Sequence, residues 1–377
     1  MLFYNTAQLL VQMDLVLFLL SFVVILVGCE FFTNGVEWVG KRFKLSEGAV
    51  GSILAAVGTA MPETLVPLIA ILFIGGDAGN EIGVGAILGA PFMLATLALF
   101  VCGLSVLLFA KRRQTRTLHI NGKLIRRDLR VFLICYSLAV VAAFVPLEFH
   151  WIKWVVGASL IPIYGYYMWL TIQRKEGSCE EGDLKCLHFQ RVVNRIGRNS
   201  PGKGESVPDE VSEAFRTAVY TAEPPTYLII AQVMMGLLAI IVGANMFVQQ
   251  IQSIADAIGL NPLILALIVA PIATELPEKF NSFIWIKDRK DTYAIGNITG
   301  AMVFQSCFPV TIGVLLTDWH IDINNNVQFL QAVSIGVALL SASVLYLRST
   351  HRELHMSGLM LGGVLYVLFL VLVLTTI

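Results

Sequence analysis

Apolar segments long enough to cross a bilayer, roughly 20 residues each, recur along the whole chain. Only 14% of the residues are charged and the mean hydropathy is +0.76, whereas a soluble domain carries about 25% charge. The predicted spans are 14–39, 46–75, 82–110, 130–147, 151–172, 226–254, 262–286, 292–317, 325–347 and 356–376. Because helices satisfy their own backbone groups in lipid, the sequence predicts an all-α integral membrane protein with about ten transmembrane helices.

One long polar stretch, residues 173–225, separates two groups of five apolar segments. It is rich in glycine, serine and proline and contains nine acidic residues, a composition that does not favour a compact core. The predicted domains are therefore a first membrane repeat at 1–172, a cytoplasmic polar loop at 173–225 and a second membrane repeat at 226–377.

The distribution of basic residues predicts the orientation. Of the 26 lysines and arginines, 24 fall in the odd-numbered connections between predicted spans. Since positive loops stay in the cytoplasm, both termini are expected outside it, with the multi-pass chain in the cell or inner membrane. Acidic residues also number 26, so the charge balance suggests no nucleic-acid partner, and the expected partners are the lipid bilayer and inorganic cations.

The two groups of spans carry an internal repeat. A shift of 215 residues places Gly28 on Gly243 and aligns the motif T-x-x-P-E at 59–63 with the same motif at 274–278. Each half has five predicted spans, and because five is odd the second copy enters the membrane from the opposite side. Inverted repeats of this kind are typical of secondary transporters, whose binding sites lie near the bilayer midplane.

Each T-x-x-P-E motif places a carboxylate inside the membrane, Glu63 in the second span and Glu278 in the seventh. An ionised carboxylate in hydrocarbon costs about 2.5 kcal/mol or more, which favours a functional interpretation over a proline kink with a structural glutamate. Pro62 cannot donate a hydrogen bond to the carbonyl of Gly58, and Pro277 leaves the carbonyl of Ala273 free in the same way.

Each motif also supplies a hydroxyl. Thr59 precedes Glu63 by four residues, as Thr274 precedes Glu278, so each pair shares one helix face. A hydroxyl, a carbonyl and a carboxylate within one turn are the ligands that hard cations such as Na⁺ and Ca²⁺ prefer. These residues are the predicted ion-binding set, with Glu63 and Glu278 as the metal ligands.

Segments 58–63 (G-T-A-M-P-E) and 273–278 (A-T-E-L-P-E) resemble the two α-repeat motifs, G-T-S-x-P-E, of the cation/calcium exchanger superfamily. The G-x-x-x-G-A segments at 85–90 and 296–301 resemble the helices that follow those motifs. The resemblance implies a sodium/calcium-exchanger-like fold with two inverted five-helix repeats, and it implies Asn297 as a further ion ligand.

The chain departs from the family pattern at several polar positions. Alanine stands at 60 where the family has serine, and Pro91 and Met302 stand where it has asparagine. Glu275 replaces the second serine and is followed four residues later by Lys279, a favourable order for a helical ion pair. Two interpretations of Lys279 stay open: its charge-modulating ammonium substitutes for a bound cation, or the pair is a structural tie to a neighbouring helix.

The predicted function is a secondary active antiporter that exchanges Ca²⁺ or a related cation for Na⁺ or H⁺ by alternating access. The missing neutral oxygens leave room for H⁺ coupling through Glu63, Glu275 or Glu278, because a carboxyl in an apolar setting can load and release a proton. Alternatives are a divergent transporter with another substrate and a transport-inactive scaffold. No cofactor is predicted beyond the transported cations, and the membrane segments contain no nucleophile or metal motif of an enzyme.

Overall fold

The computed structural model describes residues 2–42, 60–173, 186–190, 224–350 and 353–376. Their helices are α1 (Leu2–Arg42), α2 (Met61–Ile69), α3 (Gly76–Met93), α4 (Leu99–Leu108), α5 (Ala110–Arg113), α6 (Gly122–Ala143), α7 (His150–Gln173), α8 (Thr226–Ile258), α9 (Pro262–Thr274), α10 (Leu276–Lys287), α11 (Asp291–Leu316), α12 (Asn326–Arg348) and α13 (Met356–Thr376). π-helical turns at Ala70–Ile74 and Leu94–Ala98 extend α2 and join α3 to α4, and a 3₁₀ turn at Leu147–Phe149 precedes α7.

Within the described ranges, six helices are long and apolar enough to cross a membrane: Met13–Val39 of α1, Gly76–Leu108 of α3 and α4, α8, α11, α12 and α13. The other predicted spans correspond to the region of α2, to α6, to α7 and to the α9–α10 pair. The start of the predicted span 46–75 lies outside the described residues. A mostly helical, multi-pass membrane architecture therefore agrees with the prediction, while the count of ten stays a prediction.

Several element boundaries differ from the sequence prediction. The predicted span 130–147 lies in a helix that begins at Gly122, where the Asn121 side chain accepts hydrogen bonds from the backbone of Lys123 and Leu124. An asparagine N-cap satisfies N–H groups that the first turn cannot pair. The basic residues from 123 to 130 are consequently helical. The domain division at 172 and 226 stays a prediction; α7 ends at Gln173 and α8 begins at Thr226.

Apolar side chains form two main clusters. One joins α1 and α8 to α2 and α9, and includes Phe32, Val66 and Ala270. The larger one is built from α3, α4, α6, α11, α12 and α13, and includes Phe92 and Phe132. Ala60, directly before α2, belongs to the larger cluster, and Val66 of α2 belongs to the smaller one, so the start of α2 lies where the clusters meet.

Helices α1 and α8 are in backbone contact through glycines. A Cβ atom added at Gly28 would lie 2.9 Å from the backbone nitrogen of Ile240, and one added at Gly243 would lie 3.0 Å from the backbone nitrogen of Ile25. Both approaches are tighter than the neighbouring backbone tolerates, so these positions require glycine. The contact is reciprocal, because the 215-residue shift converts position 28 to 243 and position 25 to 240.

One end of the helix bundle, here called the strand end, carries two short strands and a buried ion pair. β1 (Thr117–His119) pairs antiparallel with β2 (Glu353–His355), a small addition to the predicted all-α fold. Beside the strands, Arg113 Nη2 lies 2.7 Å from Asp291 Oδ2, and both side chains are nearly fully buried. The strand end therefore joins the connection after α4 to the starts of α11 and α13.

The opposite end is joined by a separate set of contacts. The backbone N–H of Ile321 donates to the carbonyl of Ala143 at 3.2 Å. Asn261 Nδ2 donates to both carboxylate oxygens of Glu81, at 3.0 and 3.1 Å, and Lys153 Nζ donates to the Asp318 carbonyl at 2.9 Å. These contacts link the predicted even-numbered connections to one another, whereas the strand end links odd-numbered ones.

Replacing Arg113 with methionine should destabilise the protein strongly. The change leaves Asp291 buried without its cation, and breaking a buried pair in this way costs about 3–5 kcal/mol. The free energy of unfolding in mixed detergent micelles measures the effect. Arg112→Met is the matched control, because Arg112 pairs with Asp288 at 3.7 Å on the surface and such pairs contribute about 0–1 kcal/mol. Equal losses in the free energy of unfolding of the two variants would contradict the stabilising role of the buried pair.

Candidate functional site

The two P-E motifs have the same local backbone. α2 begins after Ala60, whose φ and ψ are −92° and 9°, and α10 begins after Glu275, whose φ and ψ are −93° and 8°. Residues 60 and 275 are equivalent under the 215-residue shift. The predicted seventh span is thus interrupted at Glu275 rather than continuous. In both copies proline occupies the first turn, where its missing N–H costs nothing.

This geometry places both motif glutamates in the first turn of a helix. Glu63 and Glu278 are each the third residue of their helix and are buried. Partial positive charge at a helix N-terminus favours a carboxylate there. Both carboxylate oxygens of Glu63 are buried with no hydrogen-bond partner among the described residues.

The carboxylates from the two halves form one electrostatic cluster. Glu63 is close enough to Glu278 and Glu275 for repulsion, and close enough to Lys279 for attraction. The structure therefore brings together charged residues that lie more than 200 positions apart in the sequence. Like charges in a low-dielectric interior are unfavourable unless a cation or bound protons compensate them.

Lys279 lies inside this cluster and donates hydrogen bonds to two acceptors. Its Nζ is 3.1 Å from Glu275 Oε2 and donates to the Pro271 carbonyl at 3.2 Å. Gln305 Nε2 of α11 donates to the other Glu275 oxygen at 3.4 Å. The ammonium thus donates a hydrogen bond to a carbonyl near the C-terminal end of α9, where the helix dipole favours positive charge. The Lys279 ammonium thus links α10 to α9 through the Pro271 carbonyl and balances the charge of Glu275.

The structure describes only some of the residues that were predicted to supply uncharged oxygen ligands. Thr274 is buried and its hydroxyl donates to the Ala270 carbonyl at 3.2 Å, which leaves the oxygen as an acceptor. Asn297 Nδ2 donates to the Glu278 carbonyl at 3.3 Å. Ala273 lies in the last turn of α9, while Gly58 and Thr59 lie outside the described residues.

The residues that differ from the family motif are apolar and lie in the protein interior. Ala60, Ala90, Pro91 and Met302 are all buried. Within the described part of the chain, no three histidine, cysteine, aspartate or glutamate side chains converge to hold a metal ion. A cation at this cluster would consequently need hydroxyl, carbonyl or water oxygens in addition to the glutamates.

Sequence reasoning missed two residues at the site. Gln305 binds Glu275, and the buried Cys29 of α1 lies within electrostatic range of Glu63 and Glu278. A signal for Gln305 was present, because it follows Asn297 by eight residues and so shares a helix face with it. Cys29 in an apolar run carried no such signal.

A cavity of about 270 Å³ opens at the end opposite the strands. Three acidic residues line it: Asp77, Glu81 and Asp318. Asp77 and Glu81 belong to the first turns of α3. Their negative charge would concentrate cations at this end.

Fold and site together define a multi-pass membrane protein of the cation exchanger class. The chain belongs to the sodium/calcium exchanger protein family, whose sequence profile matches residues 13–173 and 228–377. That family transports inorganic cations across membranes, in agreement with the predicted transporter class.

Two relatives illustrate the range of similarity. An uncharacterized membrane protein of Methanocaldococcus jannaschii is 22% identical over 339 residues, which cover 89% of this chain and 90% of that protein. Human sodium/potassium/calcium exchanger 3 is 26% identical over 193 residues, which cover 50% of this chain and 26% of that protein.

Two solved structures share the fold. The crystal structure of the H⁺/Ca²⁺ exchanger CAX gives a TM-score of 0.67 at 13% identity, and the match covers 96% of this chain and 82% of that chain. A structure of the sodium–calcium exchanger NCX_Mj, soaked with Na⁺ and Sr²⁺, gives 0.56 at 19% identity with 96% and 98% covered.

Lys279→Met should lower stability and impair transport, because Glu275 then stays buried without its cation, at about 3–5 kcal/mol. The double variant Glu275→Ser/Lys279→Thr removes both charges and should recover stability while shifting ion dependence towards Na⁺. Melting temperature in detergent and Ca²⁺ flux against Na⁺ concentration are the measurements.

Lys287→Met is the matched control for that series, since Lys287 is exposed in the last turn of the same helix. An unchanged melting temperature for Lys279→Met would contradict the buried-pair assignment. The same Na⁺ dependence in wild type, single and double variants would place the pair away from the ion path.

Proposed function

We propose that this protein is a secondary active antiporter that exchanges Ca²⁺ or a related cation for Na⁺ or H⁺ by alternating access. The observation that carries the proposal is the pair of buried glutamates, Glu63 and Glu278, presented by two matched helix starts and close enough to repel each other. Because the Glu63 oxygens have no hydrogen-bond partner among the described residues, a bound cation or proton is the physical means of stabilising them.

The proposed ligand set extends the two carboxylates with neutral oxygens. These would be the hydroxyls of Thr59 and Thr274, the carbonyls of Gly58 and Ala273, and the side chain of Asn297. Glu275 contributes to the negative field, and Lys279 reduces the net charge that a transported cation must neutralise. A site with fewer neutral oxygens and one fixed ammonium suits one divalent cation or protons better than several Na⁺ ions.

The proposed architecture is ten transmembrane helices in two inverted five-helix repeats. The reciprocal contact of Gly28 and Gly243 supports it, since a two-fold axis relating the halves would produce that contact. The matching backbone angles at Ala60 and Glu275 support it independently. The described odd-numbered connections meet at the strand end and the even-numbered ones at the opposite end. This separation supports spans that cross the membrane in alternating directions.

The strand end is proposed to face the cytoplasm, together with the polar loop 173–225, and both termini to lie outside. The 24 basic residues in odd-numbered connections support this orientation. The acidic cavity of Asp77, Glu81 and Asp318 would then face outwards and form an entrance for cations.

Cysteine labelling tests the orientation. Single cysteines near positions 120 and 200 should react only with reagents that enter the cell, and those near 78 and 322 should react from outside. The expectation follows from the retention of positive loops in the cytoplasm. If positions 78 and 200 were labelled from the same side, the inverted-repeat architecture would be wrong.

Glu63→Gln and Glu278→Gln should each abolish exchange while leaving membrane insertion normal. Glutamine keeps the shape but removes the charge that a hard cation or a proton requires. The measurement is ⁴⁵Ca²⁺ uptake into proteoliposomes under an imposed Na⁺ gradient and, separately, an imposed H⁺ gradient. The gradient that drives uptake identifies the counter-ion.

Glu353→Gln serves as the control, because Glu353 lies in β2 with its side chain 59% exposed and should transport normally. Wild-type rates in both Glu63→Gln and Glu278→Gln would make the glutamates structural. A correctly inserted wild-type protein that moves no Ca²⁺ under either gradient would favour the other-substrate or transport-inactive alternatives.

A further inference from the structure

A second polar cavity, of about 1100 Å³, opens at the strand end. Four basic residues line one side of it: Lys123, Arg126, Arg127 and Arg130. They follow one another at helical spacing in the first three turns of α6, so their side chains share one face. The cavity is remote in the fold from the opposite acidic cavity and has the reverse sign of charge.

Neutral groups hold two of these arginines in place without cancelling their charge. The Tyr346 hydroxyl accepts hydrogen bonds from Arg126 at 3.3 Å and Arg130 at 3.4 Å. The Arg126 guanidinium also lies 4.8 Å from the centre of the Tyr346 ring. The Nε atom of Arg126 is buried and has no hydrogen-bond partner among the described residues.

Among the described residues, only Arg127 of the four has a carboxylate partner, Asp128 at 3.3 Å. Lys123, Arg126 and Arg130 therefore leave about three positive charges around the cavity. Thr292 adds a polar donor, because its hydroxyl oxygen accepts the Asn121 N–H at 3.0 Å and its own proton stays available. Arginine and hydroxyl donors of this kind are suited to phosphate oxygens.

Aromatic residues on α7 indicate the level of the cavity relative to the membrane. Leu170 lines the cavity, and the neighbouring Tyr166 and Trp169 are 61% and 51% exposed with ring centres 5.8 Å apart. Exposed tyrosine and tryptophan near a helix end are typical of the membrane–water interface. The basic cavity thus lies at the level of lipid headgroups.

We infer that this cavity binds the headgroup of an anionic phospholipid, with a phosphomonoester headgroup preferred. Three uncompensated cations match the two charges of a phosphomonoester better than the single charge of a phosphodiester. Basic pockets between transmembrane helices on the cytoplasmic side are a physical setting for such headgroups. The inference does not depend on which cation the protein transports.

The test uses the purified full-length protein in neutral detergent, titrated with dioctanoyl phosphatidic acid, dioctanoyl phosphatidylglycerol and dioctanoyl phosphatidylcholine. The melting temperature and native mass spectrometry report binding. We expect saturable binding in the order phosphatidic acid, then phosphatidylglycerol, with none for phosphatidylcholine. Arg126→Gln should weaken phosphatidic acid binding about tenfold, the loss typical of a charged hydrogen bond.

Two further variants keep the test decisive. Lys123→Gln changes an exposed side chain and should also weaken binding if Arg126→Gln fails to fold. Arg112→Gln removes an exposed charge at the same end, outside the cavity, and should bind like wild type. Equal binding by all three variants would overturn the inference. So would an equal, saturable shift with inorganic phosphate, which would indicate a soluble ligand instead of a lipid.

Discussion

The absence of water in the hydrocarbon core is the constraint on which this structure depends, because a helix that stops there must find other partners for its terminal groups. α9 stops before Glu275 and α10 starts directly after it. The Pro271 carbonyl near that interruption accepts the Lys279 ammonium, and the new helix start favours a carboxylate at Glu278. The interruption thus places a negative and a positive side chain, Glu278 and Lys279, next to each other in the first turn of α10.

The charged cluster of Glu63, Glu275, Glu278 and Lys279 involves helices from both of the two main apolar clusters. Glu63 lies in the first turn of α2, which packs into the cluster of α1 and α8. Glu275 is hydrogen-bonded to Gln305 of α11, and other residues of α11 belong to the larger cluster. Polar groups at a boundary between two well-packed regions can change partners when those regions move relative to each other. The proposed alternating access would require a boundary of that kind, with the proposed site on it.

The sequence was sufficient for the membrane class and the family, because hydropathy and a repeated five-residue motif are local features. The ligand roles of Glu63 and Glu278 stay predictions. It was not sufficient for the interruption at Glu275, since proline at 277 is compatible with either a kink or a new helix start. Gln305 and Tyr346 were missed because their roles depend on helix rotation and tilt, which set contacts across the bundle. The basic residues after Gly122 were expected in a loop, because hydropathy locates apolar segments and not the polar ends of helices.

The reciprocal glycine contact between α1 and α8 has an evolutionary consequence. Equivalent faces of the two halves meet there, as they do in an isologous dimer of identical subunits. Under the proposed architecture of two inverted five-helix repeats, an ancestor encoded by a half-length gene would have possessed the same face and could have formed an antiparallel homodimer through it. Gene duplication and fusion would then have made permanent an interface that already existed, and glycines 28 and 243 would be its surviving paired descendants.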